Sequence, residues 1–156
     1  MGSLLDLVGG IPVHPLVVHV VVVLVPLSAL GAVLMVLRRS FSRRYASLVV
    51  VLAGISAGAA LVAKESGEQL VKHVGTPAKH VELGSLMPPI AIGLFVLVAV
   101  FWLFDRGIPM NRSRPIWLSI LGGVLVLAAI FAVVWTFLVG HSGAEAVWTT
   151  LLAPKG

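Results

Sequence analysis

Residues 16–37 contain no Asp, Glu, Lys or Arg, and the run closes on Arg38 and Arg39. About 20 apolar residues of α-helix are enough to cross the hydrocarbon of a bilayer. A run of this kind is either the core helix of a large soluble domain or a membrane span, and the composition decides between the two. Of the 156 residues, 59% are hydrophobic and 11% charged, far too apolar for a soluble domain of this size. Three further apolar runs follow, so the expected fold is all-α: one integral membrane four-helix bundle, with helices at about 14–37, 45–74, 77–104 and 116–139.

Local signals place the helix ends. Pro12 and Pro15 suit a first helical turn, where the missing N–H has no partner to lose. Pro26 falls inside helix one and takes the usual donor from the Val22 carbonyl, which favours a kink that neighbouring helices can tolerate. In helix two, Ala53-Gly54-Ile55-Ser56-Ala57-Gly58-Ala59-Ala60 sets small residues four apart, the pattern that lets two backbones approach closely in a membrane. Gly75-Thr76-Pro77 combines a helix stop, an N-cap and a first helical residue. It predicts a helical hairpin between helices two and three, with His73 ending one arm and His80 in the first turn of the other. Pro88-Pro89 predicts a second kink, and Gly140-His141-Ser142-Gly143 reads as the end of helix four.

The formal charge of +5 would point to nucleic acid in a soluble domain, but here the arginines stand in short loops between apolar runs. Arg38, Arg39, Arg43 and Arg44, then Arg106, Arg112 and Arg114, mark the cytoplasmic side by the positive-inside rule. Both termini and the hairpin between helices two and three are then expected outside. No nucleic-acid or phosphate-loop motif is present. Met1 to Gly10 lacks the basic start and small-residue cleavage site of a signal peptide, so the first helix is expected to be retained. The chain has no cysteine, which excludes thiolate metal sites and covalent c-type haem attachment. Any metal chemistry falls to His, Met, Asp and Glu.

All five histidines gather at the outer end. His14 stands 23 residues above Leu37, His80 24 above Phe104, and His141 25 above Ile116, a common level roughly 35 Å from the inner boundary at 1.5 Å per residue. His19, 18 residues up, lies deeper, where an unpartnered imidazole costs free energy unless it meets protein, water or a metal. A histidine at a helix end often only hydrates the interface, and that ordinary reading applies most strongly to His73. His14 and His19 are five residues apart, about 140° around a straight helix, and do not readily ligate one ion. Met87, 17 residues up helix three, matches the depth of His19 and is either plain core or an alternative ligand.

The opening His14-Pro15-x-x-Val18-His19, the segment Lys79-His80-Val81-Glu82-Leu83-Gly84 before the third apolar run, and the ending Gly140-His141-Ser142-Gly143-Ala144-x-x-Val147-Trp148 together resemble a family of bacterial four-helix membrane proteins known only as a domain of unknown function. Many members carry an aromatic residue and a proline where this chain has Val20-Val21. The resemblance implies a multi-pass protein of the bacterial inner (cytoplasmic) membrane, with outward-facing histidines that hold b-type haem.

Non-covalent haem also suits the residues themselves. Haem is a mostly apolar disc that needs axial side chains from facing helices, and helix bundles build cofactor sites from inward-projecting residues. The expected ligands are His19 and His80, with His14 and His141 as a second pair or as their supports, and Lys64, Lys72 and Lys79 are the cations available for the propionates. The function expected first is therefore haem b-binding electron transfer, with a redox partner protein or a quinone and, as further associations, a second copy of the chain or a larger membrane complex. Two alternatives stay open. One is a haem-free zinc or copper site of His14, His80 and His141 with Glu65, Glu68 or Glu82, which could serve a carrier, sensor or hydrolase. The other is a structural or accessory subunit. Ser142 beside His141 lacks an oriented acid and does not form a nucleophilic triad.

Overall fold

A computed structural model describes residues 7–8, 11–74 and 78–152. Its elements are β1 (Leu7–Val8), β2 (Ile11–Pro12), α1 (Val13–Leu37), α2 (Arg39–Val74), α3 (Ala78–Ser85), α4 (Met87–Asp105) and α5 (Ile116–Leu152). The helical class expected from the sequence is observed, with one small addition: β1 and β2 pair antiparallel, Leu7 opposite Pro12 and Val8 opposite Ile11, just ahead of α1. Among the described residues four helical stretches, Val13–Leu37, Arg39–Gln69, Ala78–Asp105 and Ile116–Glu145, are long and apolar enough to cross a membrane. Helix α1 packs on α2 and α5, and α4 packs on the same two helices.

No amphipathic stripe could direct this packing, because lipid and bundle core are equally apolar. Small side chains form much of the packed face of α1 and α2, around larger buried ones such as Met35, Leu94, Phe101 and Leu125. Ala29, Ala32, Ala46, Ala53, Ala57 and Ala60 are buried, whereas Leu30, Ile120, Leu127 and Phe137 are exposed on the bundle's surface. Without a hydrophobic drive between helices in lipid, close backbone approach and dispersion supply the attraction, and small residues permit it. Gly31 is one such point: a Cβ there would lie 2.7 Å from Val49 Cγ2. Within the small-residue run of α2, Gly54 faces the Phe95 ring, but Gly58 has open space around it. Only one face of that run is therefore packed.

Three expected helix boundaries differ from those observed. Helix α2 begins at Arg39 rather than near Tyr45. Backbone bonds run through the corner, Arg38 N–H to Leu34 O at 2.8 Å and Ser42 N–H to Arg38 O at 3.0 Å, and the side chains of Arg39 and Arg43 hydrogen-bond carbonyls of the opposite loop, including Pro109 and Arg106. The expected loop residues are thus helical and occupied. The third span breaks at Leu86, ahead of the expected position, since Pro88 and Pro89 lack the N–H groups that Gly84 and Ser85 would have used, and the two prolines fit the first turn of α4. Trp135 Nε1–H, reaching over from α5, donates to the Leu83 carbonyl beside the break at 3.0 Å. Finally, α5 does not end at Gly140-His141-Ser142-Gly143 but continues to Leu152. Gly143 serves close packing within the helix, as shown below, rather than a helix stop. The turn predicted at Gly75-Thr76-Pro77 and the side chains of Lys72 and His73 lie outside the described residues.

The end opposite the histidines is held by one buried ion pair. Asp105, 1% exposed, accepts from Arg114 Nε at 2.8 Å, Arg114 Nη2 at 3.1 Å and Ser42 Oγ at 2.6 Å. Arg114 also donates to the carbonyls of Met35 and Val36 at the C-terminus of α1 and lies over the Phe101 ring. One guanidinium thereby ties together α1, α4 and the start of α5, and Ser42 adds α2.

Candidate functional site

His14 opens α1 and His80 lies in α3, so both project from the entry ends of descending helices at one end of the bundle. The His14 ring rests on α2. Its Nδ1 is 2.8 Å from the Ala63 carbonyl and 3.5 Å from Ser66 Oγ, and Ser66 itself donates to the Val62 and Ala63 carbonyls. A carbonyl can only accept, so Nδ1 carries the proton and Nε2 keeps its lone pair. Gly67 permits this seat, because a Cβ there would stand 2.9 Å from Cε1 and 3.0 Å from Nδ1 of the ring.

The His80 ring rests on α5 in the same manner. Nδ1 is 3.0 Å from Ser142 Oγ, and the Ser142 hydroxyl donates to the Val139 carbonyl at 2.8 Å. With its proton so engaged, that oxygen accepts from Nδ1–H. A Cβ at Gly143 would lie 3.0 Å from Cε1. Both imidazoles are half-buried, and His14 is the ionisable side chain whose field reaches His80. Two rings from different hairpins therefore share one neighbourhood. Each has Nδ1 anchored and Nε2 chemically available, the state in which an imidazole ligates a metal.

The other expected residues are placed differently. His19 is exposed, and its Nδ1 bonds back to the Pro15 carbonyl of its own helix at 2.5 Å. It lies on a face of α1 turned away from the seat of His14, as five residues of rotation require. His141 is exposed on α5, stacked on Phe137 with ring centroids 6.1 Å apart. Met87 is buried in the core beside Thr136, whose hydroxyl is 4.0 Å from its sulfur. Glu65 and Glu82 are exposed, Glu68 pairs with Lys64 at 3.8 Å, and Lys79 pairs with Glu145 at 3.8 Å. Among the described residues no three His, Cys, Asp or Glu side chains gather as a group able to hold a metal ion. Ser66 and Gly67 are not singled out from the sequence, and Ser142 and Gly143 are read there as a helix end and part of a motif, not as the seat of His80. A signal for them existed, since the dipeptide Ser-Gly occurs twice in the chain, at those two places.

Four membrane-length helices with a paired-histidine end define a multi-pass helical membrane protein. The chain belongs to the family of predicted membrane proteins designated DUF2231, whose model matches residues 10–154. No curated protein and no solved structure matches it.

Proposed function

We propose that the chain is a haem b-binding electron-transfer protein of the bacterial inner membrane, with the haem iron held between His14 and His80. The observation that carries this reading is the pair of imidazoles from opposite hairpins, each fixed at Nδ1 by an acceptor and each leaving Nε2 as the donor. A haem iron takes four ligands from its macrocycle and asks two of the protein, whereas a zinc site asks three or four. Two imidazoles at one end of the bundle fit the first demand, and among the described residues no group of three His, Cys, Asp or Glu side chains answers the second. This pairing replaces His19 with His14 as the partner of His80, because the His19 ring is committed to its own helix on an exposed face.

When bound, haem would supply a one-electron Fe(III)/Fe(II) couple. The chain's own residues hold the rings in orientation: the Ala63 carbonyl takes the Nδ1 proton of His14 and Ser142 Oγ that of His80, which keeps each Nε2 basic, while Gly67 and Gly143 leave room for the rings beside α2 and α5. A redox partner protein or a quinone would exchange electrons at that end of the bundle. The arginines at the other end orient the chain with the histidine end and the helical hairpin outside, by the positive-inside rule.

The test is the visible spectrum of the protein purified from a haem-replete host, followed by conversion of any bound haem to its pyridine complex. A reduced spectrum of six-coordinate b-type haem with about one haem per chain is expected. Colourless protein that neither retains haem nor takes it up on titration with hemin would overturn the reading, and zinc or copper retained in its place would turn it to the haem-free alternative.

A further inference from the structure

The seats of the two histidines are built from matching parts in the same order, a serine and a glycine on the facing helix, with the ring bonded to the carbonyl in one and to the serine in the other. His14 Nδ1 bonds the Ala63 carbonyl at 2.8 Å with Ser66 Oγ at 3.5 Å, His80 Nδ1 bonds Ser142 Oγ at 3.0 Å, and the rings lie against Gly67 and Gly143 respectively. In each, a serine donates to the carbonyl three residues earlier in its helix, at 3.2 Å in α2 and 2.8 Å in α5. In each, the next residue is a glycine against which the ring lies. The number of residues from histidine to serine is 52 in one case and 62 in the other. The difference arises at the inner corner, where α1 and α2 are separated by Arg38 alone but α4 and α5 by residues 106–115.

The correspondence extends through the core. Adding 66, the step from His14 to His80, converts Val21, Val25, Ala32 and Met35 of α1 into Met87, Ala91, Val98 and Phe101 of α4, and all eight are buried. Adding 76, the step from Ser66 to Ser142, converts Val49, Ala53 and Ser56 of α2 into Leu125, Ala129 and Ala132 of α5, all again buried. Exchanging the two hairpins also maps each packed pair onto another: α1 with α2 becomes α4 with α5, and α1 with α5 becomes α4 with α2. Both hairpins run in the same sense, so the operation relating them is a twofold rotation about the long axis of the bundle. Parallel repeats related by an axis along the membrane normal are a known way to build a membrane protein, and their ligand sites lie where the repeats meet.

We infer that the chain is two copies of one helical hairpin, and that its ligand site lies across the twofold axis between them, with His14 and His80 as equivalent donors, each positioned by its own Ser-Gly pair. The ligand class this recognises is a metal centre with two like faces, one imidazole to each. The inference rests on the haem reading for the identity of that ligand, but not for the equivalence of the two seats. A porphyrin iron has two like faces, differing only in the placement of peripheral vinyl and methyl groups. A site with two equivalent halves accepts it either way round.

Two measurements test this, and they fail separately. The first uses haem-free protein in micelles, labelled with 15N at histidine. His14 and His80 are expected to show the same tautomer, protonated at Nδ1, with Gly67→Ala shifting the His14 signals and Gly143→Ala those of His80. Different tautomers for the two rings, or signals indifferent to both substitutions, would overturn the equivalence whether or not haem binds. The second is titration with hemin. Ser66→Ala and Ser142→Ala should each weaken binding by about 10-fold, the low end of the effect of losing a residue that orients a metal ligand. The proton spectrum of the ferric complex should show two sets of haem-methyl resonances, from the two orientations. Hemin bound in a single orientation, with only one serine mattering, would place the site off the axis and defeat the inference while leaving the haem reading intact. Failure of hemin to bind would defeat the haem reading, and the tautomer result would still decide the equivalence.

Discussion

Replacing Asp105 by asparagine tests whether one buried ion pair holds the inner end of the bundle. The carboxylate accepts three hydrogen bonds, two from Arg114 and one from Ser42, at a site where it is 1% exposed and Arg114 12%. Asparagine keeps one acceptor but turns an amide donor toward a donor, and leaves the guanidinium without its counter-charge. Breaking one partner of a buried pair costs about 3–5 kcal/mol. Arg114 retains the carbonyls of Met35 and Val36, so the lower end, about 3 kcal/mol, is expected. Arg114→Met should cost a similar amount, and the double variant should cost less than the two together by about 2 kcal/mol, within the range for directly bonded residues. Reversible unfolding in mixed micelles, followed by tryptophan fluorescence, measures all three. Hemin affinity of the folded variants should be unchanged, because the pair lies at the opposite end from the histidines. A cost below about 1 kcal/mol for Asp105→Asn, or strict additivity in the cycle, would refute the role given to this pair.

Gly31→Ala should destabilise by about 1–3 kcal/mol in the same assay, since the new methyl group would collide with Val49. Gly123→Ala, with nothing within 4 Å, should instead stabilise by up to about 1 kcal/mol through helix propensity. Trp135→Phe removes the donor to the Leu83 carbonyl and should cost about 1 kcal/mol, with faster hemin loss as α3 loosens. For orientation, cysteines at the exposed positions Ser113 and Glu82 should behave oppositely in intact cells: an impermeant thiol reagent should label the second and not the first. The reverse pattern would put the histidine end in the cytoplasm. Ser42 is unsuitable as a probe because its hydroxyl is buried against Asp105.

The membrane class and the four spans were legible because length and hydropathy alone specify them. Boundaries were less so, for identifiable reasons. Arg39 and Arg43 looked like loop residues by charge, yet their side chains bind loop carbonyls from within a helix. Gly143 looked like a stop because glycine commonly ends helices, whereas here it makes room for an imidazole from another helix. Counting residues along the helices grouped His14 with His80, but it also grouped them with His141, because depth says nothing about rotation and His141 points out of the bundle. Burial reasoning favoured His19 from its depth, without its bond to Pro15. The duplication was hidden by the change of offset from 66 to 76 at the inner loop, and by core positions that conserve burial and not residue type.

The reduced absorption spectrum of the single alanine variants of His14, His80, His19 and His141, compared at equal protein, tests the central claim most directly. His14→Ala and His80→Ala should each abolish the six-coordinate spectrum while the protein still inserts, and His19→Ala and His141→Ala should leave it unchanged. An unaltered spectrum in His14→Ala or His80→Ala, with its loss in His19→Ala, would contradict the account.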